Sequence, residues 1–352
     1  MENIIRQFCM EGTPVSWKLH GEGHINHTYI VETDAGRRYI LQHVSSNVFK
    51  HIPELMDNVV RVTEHIVRKT RDPRSTMNVI RTTDGLTYYI DETGRYWRMY
   101  DYVENTICFQ TAQSPEDFYQ CAVIFTQFQN LLSDFPADSL FETIPDFHNT
   151  PARFRQLKNA LKNDIAHRAA DNQDIIDFYL EREERAGELQ RMREAEELPL
   201  RVTHNDTKLN NVLFDAETGK PVCIVDLDTV MPGLTAYDFG DALRFGAATG
   251  AEDEKDLSKV SFDLEMYRIF VRGVLSASRE LTEKEIDTIP LAAWTITLET
   301  GSRFLADYLN GDVYFGIREP DSNLYRARTQ AKLVKDMEDK WDEMIRIINE
   351  LK

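Results

Sequence analysis

The chain has 352 residues, 42% hydrophobic and 28% charged, with 41 Lys+Arg against 59 Asp+Glu and a net charge of −18. That length exceeds most single cores and predicts two lobes. The acidic balance excludes broad binding to nucleic acid or anionic membrane, both of which need basic surface. No apolar run approaches the 18 or so residues of a membrane span, and the acidic start Met1-Glu2-Asn3 lacks the basic region of a secretory signal. Cys9, Cys108, Cys121 and Cys223 form no C-x-x-C pair, which fits free thiols in a reducing cytoplasm.

The first hundred residues read as strands. Val15 to Leu19 and Thr28 to Glu32 flank the turn Gly21-Glu22-Gly23-His24-Ile25-Asn26-His27, and Arg38 to Val44 follows the hairpin signal Asp34-Ala35-Gly36. Gly21 and Gly23 lie between two strands, so they are no dinucleotide fingerprint, which needs a helix after the glycines. A glycine-bearing turn can instead be a plain hairpin or lie over phosphates and donate N–H groups. His20, His24 and His27 invite a metal reading that no second ligand cluster supports.

Pro53 opens a helix with Leu55, Val59, Val62 and Ile66 on one face. Asp84-Gly85 and Glu92-Thr93-Gly94 then punctuate two further strands, Val79 to Ile90 and Tyr96 to Val103. Strands with one helix against them make this half α+β. The boundary falls near Val103 to Thr106, giving domains 1–104 and 105–352, and a nucleotide is expected in the cleft such lobes form.

Beyond Glu104 helical spacing takes over. One helix starts at Ser114-Pro115-Glu116, another at Thr150-Pro151, a third spans Asp174 to Ala195, and the last spans Arg326 to Leu351. The charge-rich run Glu181 to Glu197 reads as a solvated helix face.

The polar chemistry concentrates between Arg201 and Asp228. His204-x-Asp206 is followed after four residues by Asn211, and Asp226 stands behind the apolar run Val222-Cys223-Ile224-Val225. Val212 to Phe214 and Val222 to Val225, with a turn at Thr218-Gly219, read as a hairpin carrying Asn211 and Asp226 at one end. An acid, an amide and a second acid at this spacing suit phosphoryl transfer, which asks the protein to position reactants and neutralise charge. Asp206 would orient the attacking hydroxyl and accept its proton. Asn211 and Asp226 would hold Mg²⁺, a hard ion that prefers oxygen. Asp238, in Tyr237-Asp238-Phe239-Gly240-Asp241, reads as a helix cap or a brace for the catalytic loop. Arg303 and Asp307 stand at i, i+4, where a surface ion pair is the plain reading. The mixed aromatic and acidic run Leu309 to Phe315 resembles a sugar-binding surface.

With these residues in place, the chain resembles the aminoglycoside phosphotransferase and choline kinase superfamily, and within it the bacterial N-acetylhexosamine 1-kinases. Gly21 to Asn26, Arg201 to Asn211 with Asp226 to Thr229, Asp238 to Asp241 with Arg244 to Gly246, Glu252 to Val260, and Arg303 to Tyr308 carry the resemblance. It implies a bilobal protein-kinase-like fold, with a small antiparallel-sheet N-lobe bearing one helix and a mainly helical C-lobe. It implies ATP and Mg²⁺ as cofactors and phosphorylation of the anomeric hydroxyl of GlcNAc or GalNAc. By the same resemblance Asp206 is the base, and Asn211 and Asp226 are metal ligands. Gly21, Gly23, His24, Asn26 and Tyr102 contact the nucleotide, while Asp228, Arg303 and His24 face the sugar. The expected assembly is a monomer or weak homodimer in the cytoplasm. Gln42 occupies the strand position where the wider pattern has a phosphate-pairing lysine, so another cation is required. An aminoglycoside, a choline-like amino alcohol or a plain hexose remain alternative acceptors, the acidic cluster Glu252, Asp253, Glu254 and Asp256 favouring a cationic one. A non-catalytic nucleotide-binding protein is the alternative of another class.

Overall fold

A computed structural model describes residues 1–21 and 26–352. Gly23 and His24 lie outside the described residues. The chain forms two compact units. One comprises Met1–Cys108, Asp134–Ile144 and Asn211–Pro232, and the other Phe109–Ser133, Pro145–Asn210 and Gly233–Lys352.

The first unit is built on an antiparallel sheet of strands Pro14–Leu19 (β1), His27–Thr33 (β2), Arg38–Val44 (β3), Val79–Ile80 (β4), Tyr89–Ile90 (β5) and Tyr96–Asp101 (β6). Its order is β1-β2-β3-β6-β4, with β5 also on β6. Period-2 alternation sends Val31, Tyr39, Leu41, Trp97 and Met99 to one face, where Ile5 and Phe8 complete a core. The helix Ile52–Thr70 starts with proline in its first turn, ends at Arg71 in the left-handed region, and buries Leu55, Met56, Val59, Val62 and Ile66. The α+β expectation with one long helix beside the sheet is therefore borne out.

The expected strand from Val79 to Ile90 is different. Only its two ends pair with β6. Between them Gly85, at φ +82°, closes a turn onto the Thr82 carbonyl, and Thr82 bridges to Phe8. The amino-terminal segment takes the hydrogen bonds that a continuous strand would have offered β6. A further strand, Thr106–Cys108 (β7), joins the hairpin Val212–Asp215/Pro221–Ile224 in a three-stranded sheet.

The second unit is helical. Ser114 caps the helix Pro115–Leu131 in a reciprocal capping box with Asp117. At its centre lies Ile289–Leu309, of which every residue but Arg303 is buried. It packs against Thr150–Asn163, Thr235–Gly246 and Ser322–Asp339. Gly240 permits a close approach of Thr235–Gly246, because a Cβ there would lie 2.5 Å from the Ala292 carbonyl oxygen. Two expected helices are interrupted. Residues 174–195 break into Gln173–Leu180, Glu183–Ala186 and Glu188–Glu194, with Gly187 between the last two. Residues 326–351 break at Lys340, whose ammonium turns to the Phe262 carbonyl at 2.7 Å. Among the described residues no helix is long and apolar enough to cross a membrane.

Candidate active site

In the second unit the segment from His204 to Thr207 is held from one helix. Asp238 accepts the backbone N–H of His204 at 3.1 Å and of Asn205 at 2.7 Å, and Gln129 donates to it at 2.9 Å. One turn on, Asp241 accepts the N–H of Thr207 at 3.0 Å and pairs with Arg244. Asn205 sits at φ +66°, a conformation Asn tolerates better than most residues. His204 is fully buried, edge-on to Phe125 and Phe128. Asp238 thus braces this loop from inside its helix, and Leu234 is the residue at the cap position. Burial pushes the Asp238 carboxyl up from its ordinary value, against the pull of His204 and the donated hydrogen bonds.

Asp206 pairs with Lys208 at 2.8 Å. Burial disfavours the ammonium, but Asp206 and Asp241 outweigh it, so Lys208 titrates above its ordinary value. The phosphoryl-transfer reading assigned Lys208 no role. Its signal was a cation two residues after the candidate base.

Arg303 stacks over Phe147 and Phe315, with 5.2 and 5.5 Å from guanidinium carbon to ring centroid. Asp307 does not serve as its surface partner. That buried carboxylate accepts the backbone N–H groups of Val313, Tyr314 and Phe315 at 2.9–3.0 Å, and an amide hydrogen of Asn323. Nearby Arg153 is pushed down by burial and by Arg303. His148 pairs with the fully buried Glu299 at 2.8 Å and lies against the Tyr237 ring.

In the first unit the hairpin brings Asn211 and Asp226 to one end. Ile224 faces Val212, and the Val225 N–H donates to the Asn211 carbonyl at 2.9 Å. Asp226 turns the chain at φ +60°. An amide oxygen and a carboxylate are the hard donors that Mg²⁺ takes. Among the described residues no group of three or more His, Cys, Asp or Glu side chains could hold a metal.

Asp228 is 3% exposed, and its carboxylate meets Arg98 at 2.5 Å and the Asn26 amide at 2.7 Å. Arg98, itself 1% exposed, donates to Gln42 at 2.9 Å. Asn26 also accepts the Ser45 N–H at 3.0 Å, so its amide is engaged at both ends. Tyr102 carries the Arg38 guanidinium over its ring at 4.1 Å, and Arg38 also pairs with Glu104. Gly21, at φ +75°, follows β1, where the His20 N–H closes onto Thr28. Arg98 carried no role in the sequence reading. Its trace is a lone cation inside the apolar run Tyr96 to Tyr100.

A model of the phosphotransferase enzyme family matches residues 16–269, well over half of the chain. The chain belongs to that family. Solved structures agree on the fold. A microcompartment-associated aminopropanol kinase shares 16% identity at a TM-score of 0.63, over 98% of this chain and 97% of that one. An aminoglycoside phosphotransferase from Alicyclobacillus acidocaldarius shares 15% at 0.67, over 99% and 96%. An amicoumacin kinase in complex with AMP-PNP and Ca²⁺ shares 16% at 0.57, over 94% and 90%. At these identities the likeness speaks for the kinase-like fold of this phosphotransferase and not for its acceptor.

Proposed function

We propose that this phosphotransferase transfers the γ-phosphoryl group of ATP to the anomeric hydroxyl of an N-acetylhexosamine, GlcNAc or GalNAc. Asp206 orients that hydroxyl and accepts its proton, on a backbone fixed by Asp238 and Asp241. Lys208 shares its charge between Asp206 and the transferring group. Asn211 and Asp226 hold Mg²⁺, which when bound would neutralise phosphate charge. Residues 1–104 serve the nucleotide, with Gly21, Gly23, His24 and Tyr102 as contacts and Asn26 turned instead to Asp228 and Ser45, and residues 105–352 serve catalysis and the acceptor.

The sugar assignment rests on one observation. Arg303 is held between the rings of Phe147 and Phe315 with Arg153 close enough to be depressed by it. The guanidiniums of Arg303 and Arg153, the latter also near Glu299 and Asp146, offer donors that suit the hydroxyl and acetamido oxygens of a neutral sugar. Part of the acidic run is already engaged within the fold. Glu252 pairs with Arg244 at 2.7 Å, and Asp256 caps its own turn through Ser258. We place Asp228 in a positioning role in preference to the sugar, because its buried carboxylate is paired with Arg98 and accepts from Asn26.

ATP consumption should be measured with GlcNAc, GalNAc, galactose, choline, aminopropanol and kanamycin. Turnover confined to the N-acetylhexosamines supports the assignment, and turnover of choline or kanamycin without either of them sinks it. Asp206→Asn should bind ATP and lose turnover by orders of magnitude. Equal activity would remove Asp206 from the mechanism and revive a non-catalytic role.

A further inference from the structure

We propose that Arg98, acting through Asp228, is the positioning residue that fixes the metal-binding end of the 212–224 hairpin, in place of the lysine that position 42 lacks. The proposal rests on reading Asn211 and Asp226 as metal ligands.

Gln42 and Arg98 are direct cross-strand partners on β3 and β6. Gln42 donates to the Thr28 hydroxyl at 3.0 Å and accepts from Arg98 Nε at 2.9 Å. Arg98 Nη1 reaches Asp228 Oδ1 at 2.5 Å, and Asp228 Oδ2 accepts from Asn26, which in turn holds the Ser45 N–H. A continuous polar chain therefore runs from Thr28 through Gln42, Arg98, Asp228 and Asn26 to Ser45. A buried polar chain of this kind, with an ion pair between Arg98 and Asp228 and hydrogen bonds on either side of it, fixes its members more firmly than separate pairs would.

A lysine at 42 would set a second cation beside Arg98 in a low-dielectric interior, so the sheet has room for one charge there. Arg98 is poorly placed to be a phosphate ligand, because it is 1% exposed and its Nε and Nη1 already face Gln42 and Asp228. Its leverage is mechanical. Asp228 lies two residues beyond Asp226 in the short turn Leu227–Thr229, and Asp226 adopts φ +60° at the start of that turn. Holding Asp228 from Arg98 on β6 and from Asn26 just before β2 restrains the turn that carries Asp226. The charge of Asp226 also acts on Arg98, which burial pushes down but which Asp228, Tyr100 and Asp226 hold above its ordinary value.

The sign of the effect on metal affinity separates this role from plain electrostatics. Deleting a nearby cation should by itself tighten divalent binding. Losing a positioning residue should weaken it, by about 10–100-fold for partners that orient metal ligands. The full chain with AMP-PNP is titrated with Mn²⁺ and free Mn²⁺ is followed by electron paramagnetic resonance. Arg98→Met should weaken Mn²⁺ at least about tenfold, and Arg98→Lys less, since an ammonium cannot span Gln42 and Asp228 as a guanidinium does. Arg98→Met with Asp228→Asn removes both charges and should fold even where the single variant does not, while still binding Mn²⁺ weakly. Should neither fold by circular dichroism, Arg98→Lys decides by the same criterion. Unchanged or tighter Mn²⁺ binding in any folded variant overturns the proposal. Wild-type protein that binds no Mn²⁺ with AMP-PNP instead overturns the metal assignment of Asn211 and Asp226, and this inference with it.

Discussion

The carboxylate of Asp238 accepts the backbone N–H of Asn205 at 2.7 Å, and through that bond a helix sets the conformation of the residue before Asp206. The same carboxylate takes the His204 N–H, so both donors are satisfied by one buried side chain. Asp238→Asn keeps one carbonyl oxygen and leaves one of the two N–H groups without an acceptor. An orphaned buried donor costs about 1–3 kcal/mol. Thermal unfolding should drop by several degrees, and kcat should fall more than KM for ATP rises, because the loop carries the base. Wild-type kcat in a folded Asp238→Asn protein would show that the brace is dispensable.

Lys208 offers the converse case, a large rate effect with little stability at stake. Its pair with Asp206 is partly exposed, and such pairs contribute about 0–1 kcal/mol. Lys208→Met should leave the unfolding midpoint within a few degrees of wild type. Charge on the transferring group is a different matter, since removing one donor to a transition-state charge costs about 10²–10³ in kcat. Steady-state kinetics of Lys208→Met and Lys208→Arg would measure it, and near-normal kcat in Lys208→Met would exclude the ammonium from the chemistry.

How much of this was legible beforehand follows from the range of the interactions. The β1–β3 strands, the Ser114 cap and the 212–224 hairpin are written in local alternation, capping residues and turn chemistry, and they stand where those signals put them. The middle of the expected Val79 to Ile90 strand was not legible, because a pairing with Phe8, 74 residues away in sequence, decides it. The same holds for the site. The spacing of Asp206, Asn211 and Asp226 is visible in one stretch, whereas Arg98 finds Asp228 across 130 residues and Asp238 finds Asn205 across 33. Asp307 illustrates the remaining difficulty. Its spacing to Arg303 suggested an ion pair, yet three N–H groups just ahead of it satisfy the carboxylate better.

Acid stability should depend on Glu285. Burial alone would raise its carboxyl, but Arg201, the Thr282 N–H and the Thr235 hydroxyl together hold it below its ordinary value of 4.5. A depressed folded value stabilises the protein fully above the ordinary glutamate range, and the contribution fades as pH falls through the lowered value. Arg201→Met strands the carboxylate in the interior. Removing one partner of a buried pair costs about 3–5 kcal/mol at neutral pH. In the variant Glu285 has lost that cation, so its contribution no longer declines with acid and the gap to wild type narrows below pH 4.5. Urea unfolding from pH 7 down to pH 3 would test this, and a gap that stays constant with pH would contradict it.

Asp307 links stability to acceptor binding. It is 5% exposed and holds the N–H groups of Val313, Tyr314 and Phe315, the last of which lends its ring to Arg303. Asp307→Asn keeps the size of the side chain but halves its acceptors, and each hydrogen bond to a charged group contributes about 1.5–3 kcal/mol. The 313–315 segment should loosen and Phe315 should leave Arg303. With the base and the metal ligands untouched, the KM for the acceptor should rise about tenfold while the KM for ATP stays near wild type. Amide exchange at residues 313–315 should quicken in the same variant. A rise in both Michaelis constants together would mean that Asp307 supports the fold at large and not the acceptor wall.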